Sequence, residues 1–423
     1  MTLAPEVAPV GAHPGDGVDV LELYRRHLGA GRSMLGSVMG GITEVESAGA
    51  YVIGADGRRF LDVGGYGVFI LGHRHPSVLA AVHAQLDRHP LASRVFLEPM
   101  TALAAQALAG VAPPGLDQVH FVNSGAEATE TALKLACVHG HDRLVSAFSG
   151  FHGKTVGALS ATANPLYQRP FEPLLTSRTH VPYGDTAAML GVLAELGPRA
   201  CVILEPVQGE GGVVVPPPGY LSAVSEACRD AGAMLVIDEV QTGLGRLGSW
   251  WGIDGADVHP DMLLVGKGLS GGVVPVAAVL ATAAAYRPFG DDPFLHTSTF
   301  GGSPLASAAA LATITVMREE SIVSRAAGIG AALLPRLEQE AARWPALVEE
   351  VRGRGLLIGL KMADPGLVGE MMLSLVDRDV LANHSLNAAS VLRLTPPAIL
   401  TWEETDRCVA AVAESLAEVA AGR

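Results

Sequence analysis

The fold is decided by the stretch Met234-Leu235-Val236-Ile237-Asp238-Glu239-Val240-Gln241, together with Met262-Leu263-Leu264-Val265-Gly266-Lys267 further along the chain. Short apolar runs of this kind are typical of strands that are buried on both faces of a parallel sheet. Ligands of such sheets bind at the carboxyl ends of the strands. An acid, Asp238, and an amine, Lys267, at that edge therefore indicate a cofactor site.

Other apolar runs alternate with helical segments around this stretch. Strands are predicted at 119–122, 144–148 and 201–204, and helices follow the first and the third of them. This alternation predicts an α/β fold, with a mainly parallel sheet covered by helices.

The rest of the chain is predicted to form a smaller unit. After a long helix that starts at Pro304, the sequence predicts a C-terminal α/β domain whose strands include 356–361 and 391–394, and near the N-terminus it predicts a hairpin of 51–53 with 59–63. We expect three parts: an N-terminal segment, 1–60, that joins the small domain; a large ligand-binding domain, 61–305; and the small C-terminal domain, 306–423.

Composition excludes several classes of protein. The 423 residues include 29 Lys and Arg against 43 Asp and Glu, which argues against nucleic acid or an anionic membrane as the main partner. Every apolar run is too short to span a membrane. Residues 1–19 contain acids and prolines and do not resemble a signal peptide, so a cytoplasmic enzyme is expected. His73 and His75 have no third ligand nearby in the sequence, and we expect no metal site.

A possible anion site follows the strand at 119–122. Ser124, Gly125 and Ala126 open a helix, and free N–H groups at a helix start favour a phosphate. The same letters also fit a plain capping box, with Ser124 as the N-cap and Glu127 three residues later. Agreement with the other strand ends favours the phosphate.

Further polar and aromatic residues follow the other strands. They are Phe151, His152 and Lys154 after 144–148, Glu205 and Glu210 after 201–204, and Arg393 within the apolar strand at 391–394. The run 243–248 is a literal G-x-G-x-x-G, but it does not open a helix directly after a strand, so nicotinamide binding is disfavoured. An amine, an acid and a phosphate seat are the three groups that pyridoxal phosphate requires.

At this point the sequence resembles the fold-type I, class III aminotransferases, from about Gly49 to the C-terminus. Within that family it looks most similar to the putrescine (diamine) aminotransferases. The segments that carry the closer resemblance are Gly64-Gly65-Tyr66-Gly67-Val68-Phe69, Phe151-His152-Gly153-Lys154-Thr155, Pro216-Pro217-Pro218-Gly219-Tyr220-Leu221 and Thr299-Phe300-Gly301-Gly302.

The resemblance implies a role for each residue of the cofactor site. Lys267 would form a Schiff base with pyridoxal 5'-phosphate and later move a proton, and Asp238 would hold the proton on the pyridine nitrogen. The remaining cofactor-binding residues would be Gln241 at the ring hydroxyl, Phe151 and Val240 on the two ring faces, Ser124, Gly125 and Ala126 at the phosphate with Thr299 of the partner subunit, and His152 and Glu205. The enzyme would be a homodimer with shared active sites that alternates with the pyridoxamine form.

The resemblance also implies how substrates are chosen. Glu210 and Arg393 would form a gate that is paired for an amine and open for a keto acid's carboxylate; the alternative is a permanent ion pair. Lys154 stands where ornithine-type members carry arginine, and 37–41 lacks a tyrosine for an amino acid's carboxylate. Tyr66 and Phe69 would line the substrate pocket.

The expected activity is transfer of an amino group between a terminal amine or diamine, or its aldehyde, and a keto acid such as 2-oxoglutarate or pyruvate. One alternative is amination of a bulky aldehyde in specialised metabolism. Another pyridoxal phosphate reaction, such as an aminomutase or decarboxylase, and a nicotinamide dehydrogenase are the remaining alternatives.

Overall fold

A computed structural model describes residues 18–422; residues 1–17, the first part of the expected N-terminal segment, and residue 423 lie outside the described part. The strands are β1 Glu44–Ala48, β2 Tyr51–Gly54, β3 Arg59–Asp62, β4 Gln118–Val122, β5 Arg143–Ala147, β6 Arg178–Val181, β7 Ala200–Leu204, β8 Met234–Asp238, β9 Met262–Val265, β10 Ala277–Ala281, β11 Val348–Arg354, β12 Leu357–Met362, β13 Val380–Leu381, β14 Asn383–Ser385 and β15 Ala388–Leu394. The helices are α1 Val20–Leu23, α2 Ala30–Val38, α3 Pro76–Arg88, α4 Pro99–Ala109, α5 Gly125–Val138, α6 Val156–Ala161, α7 Pro165–Gln168, α8 Thr186–Leu196, α9 Tyr220–Ala231, α10 Ala283–Asp291, α11 Pro304–Glu319, α12 Ile322–Ala341, α13 Pro365–Asp377 and α14 Trp402–Ala421.

The central sheet has seven strands in the order β4-β10-β9-β8-β7-β5-β6. Only β10 runs antiparallel to its neighbours, and the other six strands share one direction. Every residue of β7, β8 and β9 is buried, as their continuous apolar sequences require. The predicted α/β fold with a mainly parallel sheet is confirmed.

Successive residues of these strands point into two separate cores. Leu235 and Ile237 pack into a core with helices α3, α9 and α11, while Met234 and Val236 pack on the other face with α5 and α10. Burial of each such side chain contributes about 1.5–3 kcal/mol, so both helical layers hold the sheet rigidly. The carboxyl ends of the strands are therefore fixed in position.

Two smaller sheets flank the central one. The C-terminal sheet has the order β11-β12-β15-β14 and packs against α12 and α13, which agrees with the predicted small α/β unit. The third sheet, β1-β2-β3-β13, contains the predicted hairpin, and its strand β3 pairs in parallel with β13 near the other end of the chain. On this pairing we propose that the described part of 1–60 joins the C-terminal domain, 306–423, and that 61–305 forms the large domain.

The sequence predicts a short amphipathic helix at 20–27, and this prediction is only partly correct. The chain is α-helical at Val20–Leu23 and continues as a π-helix at Tyr24–Leu28, ending at Gly29 with a φ of 101°. None of these residues is buried, so no packing surface selects a regular α-helix there. No helix within 18–422 is long and apolar enough to cross a membrane.

Candidate active site

The parallel strands deliver the predicted polar residues to one edge of the central sheet. Asp238 ends β8, Glu205 follows β7, and Lys267 follows β9 after one glycine. Ser124 follows β4, which runs in the same direction because β10 is antiparallel to both β4 and β9. Parallel strands end at the same edge, so these residues share one site.

Asp238 is a buried carboxylate with two hydrogen-bond donors. Its Oδ2 lies 2.7 Å from Nδ1 of His152, and its Oδ1 accepts a bond of 3.0 Å from the Val240 N–H. Burial by itself lowers the pKa of His152, but the hydrogen bond and charge of Asp238 outweigh it and raise that pKa. The hydrogen bond from His152 therefore fixes the orientation of Asp238.

Glu205 connects two loops at the same edge. Its Oε1 accepts from the Phe151 N–H at 3.0 Å, and its Oε2 accepts from the Gly209 N–H at 3.1 Å. Burial raises the pKa of Glu205 to about 7. The carboxylate therefore places the backbone of Phe151, whose ring is half-buried.

Lys267 has an unusual backbone conformation and an amine whose pKa is lowered. Its φ is 39°, in the left-handed region that non-glycine residues rarely adopt, directly after the extended Gly266. Removal from water lowers the pKa of Lys267, the Glu210 carboxylate opposes this shift, and the Arg393 cation adds to it. A lowered pKa leaves more of the amine free to act as a nucleophile or a base.

Glycines allow the backbone to pack closely against Gln241 and Val240. A Cβ on Gly209 would overlap Gln241 Oε1, and one on Gly67 would lie 3.5 Å from Gln241 and 3.8 Å from Lys267 Cδ. A Cβ on Gly125 would stand 2.9 Å from Val240 Cγ1. Gln241 is buried, and its Nε2 has no hydrogen-bond partner among residues 18–422. A buried amide without a partner indicates a polar ligand at this position.

The start of α5 is capped by polar side chains, as one of the two alternatives from the sequence predicts. Ser124 is the N-cap, and its Oγ accepts from the Glu127 N–H at 3.2 Å, while Glu127 Oε2 accepts from the Asn123 N–H at 2.7 Å. In a capping box the glutamate would bond to the N–H of the N-cap residue, Ser124, but here it bonds to the N–H of the preceding residue, Asn123. The N–H groups of Gly125 and Ala126 are left without a partner from the cap, so an anion seat is compatible with it.

Glu210 and Arg393 form a buried ion pair. Arg393 Nη1 lies 2.6 Å from Glu210 Oε1, and the two side chains are 0% and 4% exposed. Glu210 Oε2 also accepts from the Leu386 N–H at 2.9 Å. Within the described residues, none of the three guanidinium nitrogens of Arg393 has a hydrogen-bond partner, so its contact with Glu210 is an ion pair. The N–H donors of the guanidinium are therefore available to bind a second anion.

The three other predicted substrate residues lie in different surroundings. Tyr66 has a φ of 53°, is 46% exposed and lines a cavity of about 500 Å³ between α1, α2 and β14. Phe69 is half-buried and stacks on His73, with ring centroids 3.8 Å apart, and His73 bonds to Asp62. Lys154 is exposed, and its Nζ lies 3.8 Å above the ring of Tyr167.

Thr299 lies in an exposed loop at the same edge of the sheet. The neighbouring Ser298 accepts a bond of 2.8 Å from Asn123 Nδ2, and Arg94 Nη2 donates to Gly301 O. The side chains of Phe96 and Phe294 beside this loop are 81% and 86% exposed.

Several residues of the site were missed from the sequence. Tyr167 and Asn387 touch the loops around Glu210, although neither belongs to a local motif. Arg246 lies in the glycine pattern at 243–248, which forms turns and no helix. This buried arginine donates to Leu356 O, Pro396 O and Gly67 O, and burial lowers its pKa to about 9. In the sequence, the one signal for a role of Arg246 was the presence of a charged residue within a run of glycines.

The residues fit pyridoxal phosphate. An acid, an amine, an unpartnered amide and a helix start stand at one sheet edge, and glycines let the backbone approach them closely. This fold and site define a pyridoxal-phosphate-dependent transferase of fold type I.

Comparisons with known proteins identify the family. The model of the class-III aminotransferases matches residues 36–416, so the chain belongs to that family and is a pyridoxal-phosphate-dependent aminotransferase. A structure of ornithine aminotransferase from Toxoplasma gondii ME49 is 31% identical, with a TM-score of 0.86 over 96% of this chain and 100% of that one. A second Toxoplasma gondii structure, with partial occupancy of PLP at its active site, is 33% identical, with a TM-score of 0.85 over 90% of each chain. An (S)-enantioselective omega-transaminase from Thermomicrobium roseum is 30% identical, with a TM-score of 0.83 over 89% and 93%.

Proposed function

We propose that this aminotransferase moves an amino group between a terminal amine or diamine, similar to putrescine, or the matching aldehyde, and a keto acid such as 2-oxoglutarate or pyruvate. The proposal rests on one observation, the buried pair of Glu210 and Arg393 beside Lys267. When they are paired, the two side chains have no net charge, and an amine substrate meets an uncharged surface. With Glu210 released, Arg393 presents a fork that matches a carboxylate.

Bound pyridoxal phosphate supplies an aldehyde and an electron sink for the reaction. Lys267 would be the catalytic residue that holds the cofactor through this aldehyde, and its amine, whose pKa is lowered, would move the proton at the substrate carbon. Asp238 would hold the ring nitrogen in its protonated form, and His152 keeps Asp238 oriented. The other proposed cofactor contacts are Gln241 at the ring hydroxyl, Phe151 and Val240 at the ring faces, Glu205 behind Phe151, and Ser124, Gly125 and Ala126 at the phosphate.

An amine donor is favoured over an α-amino acid. Lys154 offers one point charge where an arginine would offer a bidentate carboxylate site, and it lies over the ring of Tyr167. Tyr66 and Phe69 are proposed to line the donor's path. The likeness to diamine aminotransferases in the segments 64–69 and 151–155 supports the same choice.

A homodimer with shared sites is part of the proposal. We propose that Thr299 of the partner subunit completes the phosphate seat. The exposed side chains of Phe96 and Leu97 line a groove of about 440 Å³ beside Gly301 of the Thr299 loop, and Val95 and Phe294 are exposed as well, which supports burial of this face by a second copy. A cytoplasmic location is proposed from the sequence alone.

A half-reaction screen tests the proposed substrates. The purified enzyme, loaded with pyridoxal phosphate, is mixed with single amines of increasing length, and loss of the cofactor's visible absorbance is followed. Short diamines are expected to react faster than α-amino acids of equal length. Failure of every short diamine would reject the proposed donor.

Amination of a bulky aldehyde is the second candidate. The cavity of about 500 Å³ beside Tyr66 favours it, because a bulky group could fill this space. The pyridoxamine form of the enzyme is therefore mixed with short and bulky aldehydes, and faster reaction of the bulky ones would favour this candidate.

A further inference from the structure

The turn between β14 and β15 reaches from the C-terminal sheet to the cofactor edge of the central sheet. We name residues 385–388 the hairpin tip; its end residues Ser385 and Ala388 pair with each other. Its hydrogen bonds to the loop after β7 are Leu386 N–H to Glu210 Oε2 (2.9 Å), Asn387 N–H to Glu210 O (2.9 Å) and Ser385 Oγ to Gly209 O (3.3 Å).

The side chain of Asn387 anchors this tip. Its Nδ2 donates to Ser149 O at 3.0 Å and to Gly150 O at 3.1 Å, and its Oδ1 accepts from Asn164 Nδ2 at 3.0 Å. Both amide hydrogens and the carbonyl oxygen are therefore used. The anchored backbone, Ser149 and Gly150, leads directly to Phe151.

Tyr167 fixes the next peptide of the tip. Its hydroxyl donates to Leu386 O at 3.1 Å, and its ring lies below the ammonium of Lys154. The carbonyl of Leu386 is thus held by Tyr167, while the N–H of the same residue is aimed at Glu210.

The carboxylate of Glu210 consequently contacts one hydrogen-bond donor and one cation of the same hairpin. Leu386 at the tip bonds to Oε2, and Arg393 on β15 lies against Oε1. Release of Arg393 for a substrate requires Glu210 to leave both groups. A firmly placed Leu386 N–H therefore favours the paired state, and a loosened one favours release.

We infer that Asn387 is a positioning residue that sets the balance between paired and released Glu210, and with it the affinity of the site for carboxylates. The inference rests on the proposed function, because it takes Arg393 as the carboxylate seat. Loosening the hairpin tip weakens the hydrogen bond from the Leu386 N–H to Glu210. A carboxylate ligand then competes more easily with Glu210 for Arg393. General damage to the site would weaken carboxylate binding instead.

Three variants and one control separate these effects. Asn387→Ala removes the anchor, and the isosteric Asn387→Asp sets carboxylate oxygens against the carbonyls of Ser149 and Gly150. Tyr167→Phe removes one bond to the tip and keeps the ring under Lys154. The control, Thr405→Val, also removes one buried bond, to Thr401 O within α14, and leaves the tip untouched.

The measurement is a calorimetric titration of the holoenzyme with glutarate, an unreactive dicarboxylate. In Asn387→Ala the Kd is expected to fall about fivefold, which is the effect of losing one hydrogen bond, that of Leu386 N–H to Glu210. The Kd is expected to fall further in Asn387→Asp. In Tyr167→Phe it is expected to fall about twofold. Thr405→Val keeps the original Kd. An unchanged or raised Kd in both Asn387 variants would overturn the inference.

Arg393→Met distinguishes this failure from failure of the proposed function. If glutarate binds Arg393→Met as tightly as the unaltered enzyme, Arg393 is not the carboxylate seat and the proposed function is rejected. If Arg393→Met loses glutarate while the Asn387 variants stay unchanged, the seat stands and only the role of Asn387 is rejected.

Discussion

Replacing Arg393 by methionine is expected to separate the two half-reactions. The substitution keeps most of the side-chain volume and removes a guanidinium that is 0% exposed and 2.6 Å from Glu210. A keto acid's carboxylate would lose two charge-assisted bonds of about 1.5–3 kcal/mol each, which corresponds to about 10²–10⁴-fold weaker reaction. The amine half-reaction, which uses no carboxylate seat, is expected to change by less than about tenfold.

The same variant leaves Glu210 buried without its cation. Loss of one member of a buried pair costs about 3–5 kcal/mol, so the variant is also expected to unfold at lower denaturant concentration. The double variant Arg393→Met with Glu210→Gln removes both charges. It is expected to recover stability without recovering the keto-acid reaction, which distinguishes damage to the fold from loss of the seat.

Stopped-flow spectroscopy of the cofactor measures each half-reaction in a single turnover. The enzyme in its pyridoxal form is mixed with the amine, and the enzyme in its pyridoxamine form with 2-oxoglutarate. Equal losses in both half-reactions would refute the gate and leave Glu210 and Arg393 as a permanent ion pair.

Three further predictions concern the sheet edge. Lys267→Ala is expected to abolish turnover while gel-filtered protein still retains some cofactor through the phosphate seat; near-normal turnover contradicts the assignment. Asp238→Asn is expected to slow turnover about 10²-fold and to lower the pKa of His152 in NMR titrations, and an unchanged pKa contradicts the pairing. Burial raises the pKa of Glu239 from 4.5 to about 7, so the folded state binds this proton more tightly and loses stability as the pH rises through that interval. In Glu239→Gln the loss of unfolding free energy between pH 5 and 8 should shrink by at most about 3 kcal/mol, whereas an unchanged slope in urea titrations contradicts the shift.

The central sheet and its cofactor edge were predictable because their signals are local. The strands around Asp238 and Lys267 are continuous apolar runs, and each ends in a residue that burial would normally exclude. The sequence also predicted that 243–248 does not open a helix directly after a strand, and those residues form turns. The roles of the individual cofactor and substrate residues stay predictions until variants are measured.

The contacts of the hairpin tip could not be predicted in the same way. Asn387 meets Ser149 across 238 residues of sequence, and nothing in either neighbourhood encodes the partner. The antiparallel direction of β10 has no local signal in the sequence, because tertiary packing determines it. The π-helix at Tyr24–Leu28 has none either, because none of its residues is buried and no packing surface selects a regular α-helix.

The hydrogen bond between Asn387 and Ser149 has a consequence for biosynthesis. A ribosome that adds about 5–20 residues per second needs roughly 10–50 s to pass from Ser149 to Asn387, which lie 238 residues apart. In the part of that interval between the synthesis of Lys267 and that of β13, the nascent chain carries Asp238 and Lys267 but neither β13 nor Arg393. The emerging polypeptide therefore exposes an incomplete sheet edge, and its final folding step awaits the last stretch of translation.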